Sequence, residues 1–388
     1  MKNLNETSEK VFLNGDAAKK FFKTICETDI WQRCYTKELS AVPVDNCPIL
    51  MEEIMQRTNI SSADVSTESM RECMESINLG LSVPFKNGMK TYPLGDTSLV
   101  SLVQRAGYQS SPVLTMLAEK ASVGLMPPTQ KSMVINTGLS CFKNKAIVLV
   151  RDEKIRAVLS GDESDYSVLR FDELDEVLED GLKKDYANVT FDTAFASHTL
   201  FGTGYTFHDA DIEKQLAQIF HCKKIKICVR LVSSDVGMSG ANIYPYVIGD
   251  GCYYMIGTPL SLTHKDRHTL GDFKNNVQKI CSTFKMAADM FERLEKIRVR
   301  NMASMIRRIA KQVGLPKKLS CEAAEQVGGA YGSNAYATDV YWELYSILEK
   351  YEADSPTFSQ GKRLSIEEGI ARIFVGHIEE YDVPFQWE

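Results

Sequence analysis

Between residues 225 and 232 the chain alternates with a period of two. Ile225, Ile227, Val229 and Leu231 fall on one side, and Lys226, Cys228, Arg230 and Val232 on the other. That period belongs to an extended strand, whose successive side chains point to opposite faces. It excludes an all-helical chain and predicts a half-buried strand with a partly basic outer face. The next stretch repeats the signal. Residues 242–248 alternate and place Tyr244 and Tyr246 together, while Pro245 demotes this strand to an edge or a bulge. Gly249-Asp250-Gly251 then turns the chain into residues 252–257. The expected product is an antiparallel meander with basic and tyrosine side chains on its surface.

A long helix follows. Thr269 and Asp272 resemble a capping box, and Phe273, Val277, Ile280, Phe284, Ala287, Phe291 and Leu294 recur at spacings of four and three. The helical pattern continues with a phase slip near Arg298 as far as Val313, where Gly314 and Pro316 stop it. Upstream, residues 146–151 and 155–160 read as a hairpin whose turn lacks glycine. Residues 171–186 read as a helix with an acidic exposed face, and residues 189–197 as a strand broken at Gly202 and Gly204. Asp209 would cap a helix reaching about Phe220. Residues 17–26, 49–57, 68–77, 99–106 and 113–121 have helical spacing, and Pro84, Gly88, Pro93 and Gly95 mark a loop or linker. Near the C-terminus, residues 338–351 and 365–379 are helical.

These readings give an α+β fold: an antiparallel meander sheet packed by a long helix, with helical N-terminal and C-terminal regions. With roughly 100–200 residues per domain, 388 residues divide into 1–130, 131–318 and 319–388.

Few motifs carry chemistry. Ten cysteines contain no Cys-x-x-Cys pair, which fits reduced thiols in a cytoplasmic protein. The opening residues lack a signal peptide, and no window approaches the ~18 apolar residues of a membrane span. His264 and His268 are four apart, but they precede the helix cap and have no zincin glutamate, so no metal is expected. Gly328-Gly329-Ala-Tyr-Gly332 is a turn rather than a phosphate cradle, and Gly361-Lys362 lacks the upstream glycine of a Walker loop. Residues 233–240 form a flexible loop without a nucleophile elbow. No catalytic residue and no cofactor follow from the sequence, and an enzyme is the weakest functional class.

The charge distribution is more informative. The chain carries −6, yet residues 265–318 carry +9, which leaves −15 for the remainder. Such a segment needs a partner or internal compensation. A phosphate-backbone track would run over Lys226 and Arg230 on the sheet, then Lys265, Arg267 and Lys274, then Arg298, Arg300, Arg307, Arg308 and Lys311. Tyr244, Tyr246, Tyr253 or Tyr254 would offer stacking faces for unpaired bases. The competing reading pairs the basic helix internally with the acidic helix 172–185, or leaves it a solvated face.

Several pieces resemble the phage/plasmid-like protein family, a prokaryotic domain of unknown function. They are residues 148–160 with Tyr166 and Asp172-Glu-Leu, then residues 230–240, residues 264–276, and Ala337-Thr-Asp-Val-Tyr-Trp. The resemblance spans residues 90–385 and implies a mobile-element origin in a prokaryotic cytoplasm. It brings no catalytic residues. The strand-strand-strand-helix order of residues 225–300 also looks like the core of phage single-strand annealing proteins. The expectation is a nucleic-acid-binding protein, favouring single-stranded DNA, that serves recombination or replication. Its helical stripe would serve homo-oligomer assembly. The alternative is a non-enzymatic interaction protein, such as an inhibitor of a host defence system, whose partner is a host protein.

Overall fold

The computed structural model describes residues 9–44, 79–108 and 128–385, apart from 221, 223, 331–333 and 357. The helices expected at 49–57, 68–77 and 113–121 lie outside these residues.

The first described elements are β1 (Lys10–Phe12) and α1 (Gly15–Thr28), whose first turn is closed by Asn14 Oδ1 accepting from Ala17 N at 2.9 Å. β2 (Ile30–Tyr35) and β3 (Ser40–Pro43) precede β4 (Leu79–Phe85) and β5 (Gly88–Pro93). The segment read as a loop around Pro84, Gly88 and Pro93 is therefore a hairpin. Gly88, at φ 113°, supplies the turn that other residues resist.

α2 (Asp96–Arg105) and α3 (Pro128–Cys141) lead into β6 (Lys145–Arg151) and β7 (Lys154–Ser160). Asp152 and Glu153 both take positive φ, 52° and 56°, as a type I′ hairpin turn requires. α4 (Phe171–Asp185), β8 (Ala187–Ala196), β9 (Phe201–His208) and α5 (Ala210–Ile219) follow, with Asp209 capping α5 through Ile212 N. The meander is β10 (Ile225–Ser233), β11 (Ala241–Gly249), β12 (Cys252–Met255) and β13 (Leu260–Leu262).

The Thr269–Asp272 capping box forms as read and starts α6 (Leu270–Val277), but the long helix is three helices. α7 (Ile280–Leu294) ends before β14 (Arg298–Val299), and α8 (Met302–Val313) stops at left-handed Gly314. The phase slip near Arg298 is a full break, because Arg298 and Val299 pair with β15 (Ala335–Tyr336). α9 (Lys317–Ala330) carries Gly328 and Gly329 in its last turn; α10 (Ala337–Asp354) and α11 (Gln360–Val375) complete the helices among the described residues, and a 3-10 turn, Ile378–Tyr381, follows.

The large sheet is antiparallel, ordered β1-β8-β9-β10-β11-β12, and β13 shares the far edge of β11. Pro245 is not at a free edge. It sits where the outer partner of β11 changes from β13 to β12. Gly202 and Gly204 belong to β9 instead of ending a strand, and a Cβ at Gly202 would lie 2.1 Å from the Phe195 ring. Two three-stranded sheets, β2-β6-β7 and β3-β4-β5, share a second core with α2 and α3. Pairing crosses the boundaries drawn near 130 and 318. β1 joins β8, β2 joins β6, and α8 packs on α9.

Arg151 fastens the smaller sheet to the larger one. It donates to Asp29, which caps the end of α1, and at 2.7 Å to Asp235 in the loop after β10. Burial works against its charge, and the two carboxylates more than restore it. The 233–240 loop is thus not a free loop at its start: Ser233, Ser234 and Asp235 are buried.

The main core lies between one face of the large sheet and α1, α4–α8 and α10, and it runs on to Ala324 and Val327 of α9 and to Ile366, Ile370, Ile373 and Phe374 of α11. It contains Ile227, Val229, Leu231, Phe171, Phe273, Phe284 and Phe291. Each such side chain contributes about 1.5–3 kcal/mol on burial. The stripe read as an assembly surface is inside this core. The opposite face is not open either, since α11 lays Leu364 and Ala371 against Cys228, Val232, Tyr244 and Tyr246.

Candidate nucleic-acid interface

The expected track divides into three groups with different fates. The first is on β10 and β11. Lys226 is exposed, but Arg230 is 8% exposed and Tyr244 and Tyr246 are buried. The reading of a half-buried β10 with a basic outer face is corrected by the helix that covers it. Tyr246 donates to Glu367 at 2.6 Å and Tyr244 to Glu368 at 3.1 Å, both on α11. Tyr253 donates to Asp192 at 2.9 Å. Tyr254 packs edge-on against Trp342 at 5.1 Å. Tyr244 and Tyr246 therefore have no ring face for a base. The Arg230 guanidinium lies 5.1 Å from the Tyr246 ring centre and 5.4 Å from that of Tyr253.

The buried layer around Arg230 is ionic. On α11, Arg363 donates to Glu367 at 3.1 Å and to Glu349 at 2.5 Å, and it also pairs with Glu352. Burial raises the Glu367 pKa, against the pull of Arg363. The sequence did not mark this network, although Arg363 and Glu367 are four apart on one helix.

The second group is the loop before α6. Lys265, Arg267 and Lys274 are exposed. The loop is bonded to a neighbouring turn, Asp266 N donating to Ser164 O at 2.7 Å and Arg267 N to Glu163 O at 3.1 Å. Asp266 and Arg267 take φ of 61° and 58°, a conformation that non-glycine side chains adopt under tertiary constraint. His264 is buried below, donating Nδ1–H to Ser167 O at 3.0 Å, and burial lowers its pKa. His268 uses Nδ1 on Thr263 O. The two histidines do not converge on one point.

Arg267 also lines a cleft of about 510 Å3 with Arg33, Tyr35, Lys145, Asp162 and Glu163. Arg33 and Lys145 were missed in the sequence. Each lies in a strand whose alternation says nothing of its neighbours, and only the β2–β6 pairing brings them together.

The third group surrounds α8. Arg298, Arg300 and Lys311 are exposed, and Arg307 and Arg308 are half-buried. The C-terminal segment lies against this helix. Asp382 accepts from Arg300 N at 2.9 Å and Asn301 N at 2.7 Å, so its carboxylate faces the positive end of α8. Arg308 donates to Glu380 O at 3.0 Å and lies over Tyr381, and Lys311 lies over Phe385.

Internal pairing of this segment with the acidic helix is not observed among the described residues. The α4 carboxylates engage Arg170, Lys19 and Lys183. Asp175 accepts from Tyr205 at 2.9 Å, and burial pushes its pKa up to about 6. No described helix is long and apolar enough to cross a membrane. Neither a protein-family model, nor a curated protein, nor a solved structure matches the chain.

Proposed function

We propose that the chain binds nucleic acid through its phosphates, by way of Lys226, the loop before α6 and the exposed cations of α8, in the life of a phage or plasmid. One observation carries this reading. Lys265, Arg267, Lys274, Arg298, Arg300 and Lys311 are exposed and make no ion pair among the described residues. A concentration of unpaired cations on an otherwise acidic protein attracts a polyanion by releasing its counterions. With the predicted stacking tyrosines buried or hydrogen-bonded, the reading rests on backbone contacts. A preference for single strands then draws on strand order alone.

The test is fluorescence anisotropy with labelled single-stranded DNA, duplex DNA and RNA over a salt series. The expected result is affinity that falls linearly in log–log form, by about 0.7–0.9 per phosphate contacted. Lys265→Glu with Lys274→Glu should lower both affinity and slope. Absence of binding at about 20 mM salt, where screening is weak, would overturn the reading and leave a host protein as the partner.

A further inference from the structure

We propose that the cleft between the start of β6 and the loop before α6 binds a single phosphate group, carried by a phosphorylated small molecule or by a strand end. Its volume, about 510 Å3, lies in the ~300–1,000 Å3 range of small-molecule sites. Five charged side chains line it, and they are not equivalent. Glu163 is paired with Arg33 at 3.4 Å, and Arg33 also donates to Gly161 O at 2.8 Å. The Asp162 carboxylate turns back on its own loop and accepts from Ser164 N and Oγ, both at 3.0 Å. These contacts engage one oxygen of each carboxylate and the Arg33 guanidinium.

Lys145 and Arg267 remain. Neither side chain has a hydrogen bond or ion pair among the described residues, and both line the cleft beside Asp162, on which both act electrostatically. An entering phosphate dianion would meet two cations that no direct hydrogen bond or ion pair among the described residues engages. The bonds from Asp266 N and Arg267 N to the 163–164 turn hold Arg267 in position beforehand. Tyr35, 45% exposed, lines the same cleft, with the Lys37 ammonium 5.8 Å from its ring centre. This site goes beyond the polyanion track, with which it shares only Arg267.

The experiment is isothermal titration calorimetry of the full chain with inorganic phosphate, adenosine monophosphate and adenosine. Anisotropy with oligothymidylate bearing a 5′-phosphate or a 5′-hydroxyl accompanies it. Phosphate and adenosine monophosphate should saturate one site, and adenosine should not bind. Lys145→Gln and Arg267→Gln should each weaken adenosine monophosphate about tenfold, with unchanged melting by circular dichroism. A strand-end ligand predicts tighter binding of the 5′-phosphorylated oligonucleotide, lost in Lys145→Gln. A small-molecule ligand predicts no such difference. Wild-type protein that does not bind phosphate or adenosine monophosphate saturably, or variants that bind as wild type does, would overturn the site. If adenosine monophosphate binds and long DNA does not, only the polyanion reading falls. The opposite result removes only the site.

Discussion

On one face of the large sheet, Ile227, Val229 and Leu231 meet Phe273, Phe284 and Phe291. On the other, Arg230, Tyr244 and Tyr246 lie under α11, which brings Arg363, Glu367 and Glu368. The first face is held by apolar burial, which has no preferred direction and tolerates changes of shape at constant volume. The second adds to its apolar contacts donors and acceptors that must each find a partner, so its strength depends also on completeness. Helices of the first face could be repacked at modest cost. The seat of α11 combines apolar burial of Ile366, Ile370, Ile373 and Phe374 with polar atoms that must meet on the sheet.

The largest expected effect tests that dependence. Arg363→Met leaves Glu367 buried without its cation and should cost about 3–5 kcal/mol in urea denaturation. The double change Arg363→Met with Glu367→Met should recover most of the loss. A double variant as unstable as the single would mean that α11 is held by shape and not by charge.

The next effect probes a carboxyl on the apolar side. Asp175 has its folded pKa pushed up to about 6, from an ordinary 3.8. The native state therefore holds a proton that the unfolded chain releases between these values. Stability from this group is present below pH 4 and is lost as pH rises through 6. Asp175→Asn keeps an acceptor for Tyr205 and does not titrate. From pH 4 to pH 8 its stability relative to wild type should rise by about 2–3 kcal/mol. Parallel stability curves for the two proteins would show that Asp175 is ordinary.

The smallest effects compare single conservative changes on the two faces. Tyr246→Phe removes one donor to buried Glu367 and should cost about 1–2 kcal/mol. Phe284→Leu should cost about 1 kcal/mol, since the apolar neighbours can close around it. The reverse order would break the comparison.

Local pattern made the meander, the β6–β7 hairpin, α4 and the Thr269 cap legible. Each is specified within a dozen residues by period, turn or cap. The covering of β10 was not. Lys226 and Arg230 read as an outer face, and the helix that buries Arg230 begins at Gln360. The stripe through Phe273 and Phe291 was visible, whereas the break at Arg298 depends on Ala335 and Tyr336. Among the candidate residues, exposure of Lys265 and Arg267 agrees with their reading as surface cations. The cleft was invisible because Arg33, Lys145 and Arg267 are each more than a hundred positions apart. Convergence at that distance is a property of strand pairing and loop docking, neither of which has a local signature.

The backbone bonds of Asp266 and Arg267 have a kinetic consequence. By joining the loop before α6 to the 163–164 turn, beside the paired Tyr35 and Lys145 of β2 and β6, they tie the walls of the cleft to one frame before any ligand arrives. Encounter should then be a single step, with an observed rate linear in ligand concentration and no slow phase of closing.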